Sequence, residues 1–139
     1  APIESNSAMR WLSGIDMTLM QAPPSFWIVR NPNPAAKPTI IGTLSGHFGA
    51  LITSTRSYRT RGLWVHPDFR GQGVARELMR AAVAQAEQEN CEMLWTFPRK
   101  GSMPAYEKLG FKMVGDWIGE NDPGAGEFGP NCYALRKLK

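Results

Sequence analysis

The strongest hydrophobic pattern in the chain lies over residues 74–88. Small and aliphatic residues recur there with helical spacing; they are Ala75, Leu78, Met79, Ala82, Val83 and Ala86. Charged and amide side chains lie between them, so the pattern predicts an amphipathic helix that stops at Asn90. Residues 59–65 and 91–97 alternate with a period of two and predict a strand on each side of the helix. Strands joined in this way are expected to lie parallel and adjacent.

Weaker patterns predict the other elements. Four further strands are expected, over residues 26–30, 39–51, 111–118 and 132–138. They form two antiparallel pairs, the first joined by the turn at residues 31–34 and the second by a glycine- and proline-rich loop at residues 119–131. A short helix is predicted over residues 102–109, with Gly110 as its stop. Residues 5–20 show loose helical spacing.

Length and composition place this pattern in one ordinary globular unit. A chain of 139 residues predicts a single domain over residues 1–139, in which residues 1–38 carry the least distinct signal. Hydrophobic residues make up 42% and charged residues 20%, which excludes a disordered chain. The sequence contains no apolar run near the roughly 18 residues of a membrane span and no leader pattern. Two cysteines, Cys91 and Cys132, are too few for a disulfide framework. We therefore expect a cytoplasmic protein with two buried thiols and no membrane partner.

The charge balance leaves two partner classes open. Lys plus Arg exceeds Asp plus Glu by 16 to 12, a net charge of +4. Such an excess suits a polyanionic ligand such as a nucleotide or a nucleic acid, and it is also common on solvated surfaces.

A glycine-rich turn precedes the predicted helix, at residues 70–75 (RGQGVA). The amides at a helix start have no intrahelical partner, and glycines let an anion approach the main chain closely. The turn is not a P-loop, because the Gly-Lys-Ser/Thr ending is missing, and Arg76 departs from G-x-G-x-x-G. The turn therefore predicts an anion site and disfavours nucleoside triphosphate hydrolysis and hydride transfer. A purely structural turn explains the glycines about as well.

Two motifs in the chain resemble those of one enzyme family. Residues 65–75 (VHPDFRGQGVA) resemble the acetyl-CoA-binding motif of the GNAT N-acetyltransferase superfamily, Gln/Arg-x-x-Gly-x-Gly/Ala. Residues 105–111 (AYEKLGF) resemble its Tyr-x-x-x-Gly-Phe helix end. The resemblance runs from about residue 39 to the C-terminus, and Arg99 stands where the family often has a cofactor-binding asparagine.

The resemblance implies both a fold and a cofactor site. The fold would be α/β (α+β), a mixed sheet of six to seven strands flanked by helices, whose central parallel strands splay apart to admit acetyl-CoA. The main chain of Trp64 and Val65 would pair with the pantetheine arm. The pyrophosphate would be held at the turn, by Arg70, Gly71, Gln72, Gly73, Val74 and Ala75. Lys100 and Lys108 would face the nucleotide end, although both are also ordinary surface lysines.

The activity implied is transfer of an acetyl group to a primary amine of a small molecule or a peptide. No covalent nucleophile is evident, so a direct, ternary-complex transfer is expected. Tyr106 is the expected general acid toward the departing CoA thiolate, and the Val65 amide is expected to stabilise the oxyanion. A tyrosine that packs on Phe111 in the core is the alternative for Tyr106.

The general base and the acceptor site are less determined by the sequence. His47, Asp116, Glu120, Asp122 or a chain of waters remain candidates for the base. Glu120 and Asp122 lie in an acidic loop that would draw in an ammonium substrate. The same loop is equally expected to be simply solvated.

Two functions of other classes remain as alternatives. The first is a non-catalytic module that binds CoA or nucleic acid, in which Arg56, Arg59 and Arg61 meet phosphates and Trp64 stacks a base. Nucleic acid is the less favoured partner, because no RNA-binding signature accompanies these residues and a solvated strand edge explains the arginines. The second is an acetyltransferase that acts on aminoacyl-tRNA. A homodimer is common in the family.

Overall fold

The computed structural model describes residues 23–49, 56–119 and 130–138, which form a six-stranded sheet and two α-helices. The elements are, in chain order, β1 (Ser25–Arg30), β2 (Ile40–Phe48), β3 (Ser57–Val65), α1 (Val74–Gln88), β4 (Met93–Thr96), α2 (Met103–Lys108), β5 (Lys112–Ile118) and β6 (Asn131–Lys137). The order across the sheet is β1-β2-β3-β4-β6-β5. β3 and β4 are parallel and all other neighbours are antiparallel. The expected mixed sheet with flanking helices is confirmed.

The main difference from the predicted elements is the short fourth strand. The prediction covered residues 91–97, whereas β4 covers only Met93–Thr96. Cys91 is instead part of the end of α1, since its amide binds the Ala86 carbonyl while the Asn90 amide binds the Glu87 carbonyl. Asn90 takes a left-handed φ of 61°. These two bonds form a Schellman motif, the expected stop at Asn90. The predicted helix at residues 5–20 and the end of the predicted strand at residues 50–51 lie outside the described residues.

The hydrophobic core lies between the sheet and α1. The helix buries the residues on its apolar stripe, which are Val74, Leu78, Met79, Ala82 and Ala86. It can lie this close to β2 because of Gly42, where an added Cβ would come within 2.6 Å of Val74 Cγ1. Full burial of one such aliphatic side chain contributes roughly 1.5–3 kcal/mol. No helix in the described segments is long and apolar enough to cross a membrane.

The central strand β3 presents different chemistry on its two faces. Tyr58 is buried in the core on the helix side, while the guanidinium of Arg59 lies over the Trp95 ring on the other side. Side chains alternate along a strand, so Thr60 faces the helices and Arg61 faces away from them. Near Gly62, which has a φ of 68°, the register with β2 shifts by one residue. This β-bulge bends β3 just where its pairing with β4 ends.

Candidate active site

β3 and β4 separate after three paired residues. Parallel pairing joins Ser57, Tyr58 and Arg59 to β4 and then stops. The last contact is made by a side chain, because the Thr96 hydroxyl donates to the Thr60 carbonyl at 3.1 Å. Beyond it β3 stays paired with β2, while the segment after β4 turns to β6. The expected splay of the central parallel strands is therefore present.

A cavity of about 350 Å³ fills the gap between the two strands. It is lined by residues 59–63 of β3, by residues 96–99 after β4, and by Ser102, Tyr106 and Asn131. Asn131 also holds the far wall, since its side-chain amide donates to the Phe97 carbonyl at 2.9 Å. The gap is thus an opening in the sheet. The backbone of β3 forms one wall, and Tyr106 lies at its end.

The exposed backbone of β3 at the gap belongs to Val65. The His66 amide donates to the Ile41 carbonyl at 2.8 Å, and Trp64 lies opposite Thr43. Because bonded and non-bonded pairs alternate in an antiparallel ladder, the main chain of Trp64 faces β2 and that of Val65 faces the gap. This orientation favours Val65 over Trp64 as the residue that pairs with the pantetheine arm, and the pairing stays a prediction.

The turn after β3 is held by local side-chain contacts. The His66 ring accepts a bond from the Asp68 amide at 3.1 Å and packs edge-on between Trp64 and Phe69. It caps a single 3₁₀ turn, Pro67–Phe69. Arg70 Nε then donates to the Val65 carbonyl at 3.2 Å. Arg70 therefore ties the glycine turn to the open end of β3.

The glycines of the turn are required by backbone conformation. Gly71 and Gly73 have φ of 77° and 85°, a region that other residues rarely adopt. A Cβ at either position would meet nothing within 4 Å, so the space beside the main chain is open. Gly73 is the N-cap of α1 and has no side chain to bind the first amides of the helix. Those amides and the positive end of the helix dipole suit an anion.

Tyr106 reaches the cavity from α2 because of the way that helix ends. The Gly110 amide binds the Glu107 carbonyl and the Phe111 amide binds the Tyr106 carbonyl, a second Schellman motif. Gly110 supplies the left-handed φ of 91°. Phe111 folds back so that its ring packs edge-on against Tyr106, with centroids 5.4 Å apart. The Tyr-x-x-x-Gly-Phe pattern is therefore the sequence of this helix end, and it fixes the tyrosine.

The Tyr106 hydroxyl is buried and hydrogen-bonded. The side chain is 7% exposed, and burial raises the pKa of its hydroxyl, although a hydrogen bond with Thr96 opposes the shift. The Thr96 hydroxyl also donates to the Thr60 carbonyl, so this threonine connects Tyr106 to β3. The expected core packing on Phe111 and a position at the cavity are both present. Tyr106 is a protonated donor at neutral pH.

The other titratable candidates in the described residues lie away from the cavity wall. His47 is buried, and desolvation lowers the pKa of its imidazole, as do the nearby guanidiniums of Arg59 and Arg61. Its Nδ1 binds the Phe48 carbonyl at 2.9 Å. Asp116 is an exposed residue of β5. Neither residue lines the cavity.

Both cysteines are buried free thiols. Burial raises the pKa of Cys91 to about 11, and it also raises the pKa of Cys132. The Cys132 Sγ lies 3.8 Å from Met103 Sδ in the core. A thiol that stays protonated and inaccessible is a poor nucleophile. No group of three or more His, Cys, Asp or Glu within residues 23–49, 56–119 and 130–138 is placed to hold a metal ion.

Arg59 and Arg61 of β3 were expected either to contact phosphates or to lie on a solvated strand edge. β3 is the third of six strands, so Arg59 and Arg61 are not on a solvated sheet edge. Both are half-buried and line the cavity. Arg56 alone lies at the surface, where it pairs with Glu92 at 3.3 Å. In the sequence, the only indication of this position is that Arg59 and Arg61 alternate just before Gly62.

Some predicted site residues are not among those that line the cavity. Glu120 and Asp122 lie outside the described residues. Lys108 is exposed, and the Lys100 ammonium sits 5.4 Å from the centre of the Trp117 ring. Thr96, Ser102 and Asn131 line the cavity without having been predicted. A threonine among the apolar residues of a buried strand was the one sequence signal for Thr96.

The sequence matches a known family model over most of its length. The model is described as "Acetyltransferase (GNAT) family" and matches residues 4–111. No curated protein is detectably similar to the chain in sequence.

Many solved structures share the fold at low sequence identity. Nourseothricin acetyltransferase is 19% identical, with a TM-score of 0.68, and the match covers 84% of this chain and 66% of that one. An acetyltransferase from Bacillus cereus is 16% identical, with a TM-score of 0.64, and the match covers 96% of this chain and 87% of that one. A Bacillus anthracis protein assigned as a streptothricin acetyltransferase, solved with acetyl coenzyme A, is 18% identical, with a TM-score of 0.68, covering 86% and 65%. The chain thus spans just under two thirds of the first and last of these proteins.

Proposed function

The chain belongs to the acetyltransferase (GNAT) family, and from this premise we propose that it transfers the acetyl group of acetyl-CoA directly to a primary amine. The family identifies the acyl donor. The direct route and the residue roles below are inferred from the cavity. The observation that carries the proposal is the open gap between β3 and β4, with a glycine turn at one end and Tyr106 at its wall.

The donor would lie along the gap as an added partner for β3. The Val65 amide faces the opening and is a donor for either the pantetheine arm or the oxyanion. The pyrophosphate would lie at the turn, against the amides of residues 71–75 and the positive end of α1. Arg70, which is exposed and anchored to the Val65 carbonyl, adds a positive charge there. With the donor in this position, the thioester would lie beside the cavity wall that holds Tyr106.

The transfer needs a neutral amine, a stabilised oxyanion and a proton for the leaving thiolate. The amine nitrogen would attack the thioester carbon, and the C–S bond would break as the amide forms. Tyr106 would give its hydroxyl proton to the thiolate sulfur and recover one from solvent or from the nitrogen that becomes cationic when the amine adds to the thioester. Its raised pKa makes full transfer uphill, so much of its contribution is a hydrogen bond to the developing thiolate.

A route through an acetylated cysteine is disfavoured by the two thiols present. Cys91 and Cys132 are completely buried, and the pKa of Cys91 is raised to about 11. Neither lines the cavity. This supports attack by the amine on acetyl-CoA itself, in a complex that holds both substrates.

The acceptor is a small-molecule or peptide amine in this proposal. Glu120 and Asp122 are our candidates for attracting its ammonium group, because the loop at residues 119–131 connects β5 to β6 and carries no cation. With neither His47 nor Asp116 at the cavity, ordered water or this acidic loop is the candidate route for the amine proton.

The first test is a titration with acetyl-CoA, followed by tryptophan fluorescence and thermal shift. Wild type should show saturable binding. Gly73→Glu should bind acetyl-CoA at least tenfold more weakly, because it places a carboxylate at the proposed pyrophosphate site and a side chain at a φ of 85°. Gly73→Ala adds the backbone strain without the charge, and its affinity for acetyl-CoA should fall less. Ala84→Glu adds the same charge on an exposed part of α1 and should bind normally.

The results separate the candidate functions. Thiol release from acetyl-CoA in the presence of an amine would establish transfer. Binding of CoA without transfer to any amine would favour a non-catalytic CoA-binding module. Absence of binding by the folded wild type would contradict the proposal, and salt-sensitive RNA binding would then favour the nucleic-acid module.

A further inference from the structure

One guanidinium at the cavity is held in a fixed position by an aromatic ring. The Arg59 Cζ lies 4.7 Å from the centre of the Trp95 ring. The ring itself is anchored, since the Trp95 indole N–H donates to the Gly49 carbonyl at 2.9 Å. Trp95 is only 8% exposed. Stacking covers one face of the guanidinium and leaves the donors at its edge for another group.

The charge of Arg59 has no carboxylate partner in the described part of the chain. Arg59 takes part in none of the ion pairs seen there, such as Arg56–Glu92 and Arg80–Glu77. Arg59 Nε is buried and makes no hydrogen bond to any described residue. Burial and, to a smaller extent, the neighbouring Arg61 lower the pKa of Arg59 to about 10. A half-buried cation without a counter-charge is costly, and an anion that enters the cavity offsets that cost.

Two further arginines line the same cavity as Arg59. Arg61 lies two residues along β3 and lines the same cavity. Arg99 lines the cavity from the segment after β4. Both Arg59 and Arg61 help to keep the buried His47 neutral, because they lower the pKa of its imidazole. Arg59 is thus one of three arginines at an opening of about 350 Å³, and its own charge favours a ligand that brings a negative charge.

We propose that the acceptor is an amine that carries a carboxylate, and that Arg59 binds this carboxylate while the amine faces the gap between β3 and β4. The planar fork of a guanidinium matches the two oxygens of a carboxylate. An acceptor that brings only an ammonium group would gain nothing from Arg59, because like charges repel. This inference rests on the proposed function, because it names the class of substrate that the acetyltransferase site selects.

The test compares matched amines that differ only in the carboxylate. Phenylalanine is paired with phenethylamine, and 5-aminopentanoate with pentylamine, in an assay of thiol release from acetyl-CoA. We expect kcat/KM to be higher for the carboxylate member of at least one pair by about tenfold or more, the size expected for a charge-assisted pair of hydrogen bonds. In Arg59→Met, kcat/KM should be about equal for the two members of the pair. Arg59→Lys should retain part of it, because charge remains while the fork is lost.

Controls separate recognition of the acceptor from folding and from donor binding. Arg56→Met removes an arginine that pairs with Glu92 outside the cavity, and it should keep the full preference. Arg59→Met should melt no lower than wild type, since it removes a buried uncompensated charge and keeps the stem that packs on Trp95. It should also bind acetyl-CoA as wild type does.

Each remaining outcome is decisive. Equal or better use of the decarboxylated amines overturns the proposal, and so does a preference that survives in Arg59→Met. If another primary amine is acetylated but neither member of any pair is, the carboxylate-amine class is also wrong. If acetyl-CoA does not bind to wild type, the failure belongs to the proposed function and not to the acceptor class.

Discussion

At the scale of single residues, the site depends on where one proton lies. The Tyr106 hydroxyl is buried at the cavity wall and hydrogen-bonded with Thr96. Because burial raises the pKa of Tyr106, the hydroxyl stays protonated below its ordinary pKa of about 10. We expect Tyr106→Phe to lower kcat by about 100-fold, in the range of general acid catalysis. The KM for acetyl-CoA should change little, because the ring and its contact with Phe111 remain.

The pH dependence checks the direction of this shift. A raised pKa means that the acid form is lost only above the ordinary value, so the ratio of wild-type to Tyr106→Phe rates should be constant between about pH 7 and pH 9. Tyr133→Phe removes the same oxygen from a residue outside the cavity lining and should keep near wild-type kcat. A ratio that falls toward 1 as the pH rises within this window would contradict a protonated Tyr106 with a raised pKa.

At the scale of elements, the end of α2 links stability to catalysis. Gly110 has a φ of 91°, and an added Cβ would lie 3.4 Å from the Arg136 side chain. Gly110→Ala should therefore lower the free energy of unfolding by about 1–2 kcal/mol, measured by urea denaturation. It should also lower kcat, because the Schellman bonds position Tyr106. Gly101→Ala, at the other end of the same helix, meets nothing within 4 Å. It should change neither quantity.

The same elements show what local sequence can and cannot predict. The stop at Asn90, the turn at residues 70–75 and the helix that carries Tyr106 are local structures, fixed by spacing and by residues that tolerate a left-handed φ. The shortness of β4 and the position of Arg59 depend instead on which strands meet. Nothing near residue 59 indicates that a partner strand will leave it after three pairs. Cross-strand contacts such as Thr96 to Thr60 are therefore visible only in the folded sheet.

At the scale of the whole molecule, the gap is a break in an otherwise continuous sheet. The main chain of Val65 and the first amides of α1 have no strand or helix partner, so a bound donor supplies what the fold leaves open. A ligand present at about 100 times its Kd stabilises the folded state by about 2.7 kcal/mol. The stabilisation should be local as well as global. We expect acetyl-CoA to slow hydrogen exchange most at Val65 and residues 71–75.

A fragment of the donor separates the two parts of this site. S-acetylpantetheine has the thioester and the arm but no pyrophosphate, so it should protect the Val65 amide and leave residues 71–75 unprotected. Met113 and Val114 are exposed residues of β5, at the edge of the sheet away from the gap, and both ligands should leave their exchange unchanged. Equal slowing at β5 and at the gap would mean that the donor acts only on global stability. Protection of residues 71–75 by the fragment would show that the turn does not bind the pyrophosphate. The predicted pattern instead requires one ligand that completes the sheet at one end and the helix at the other.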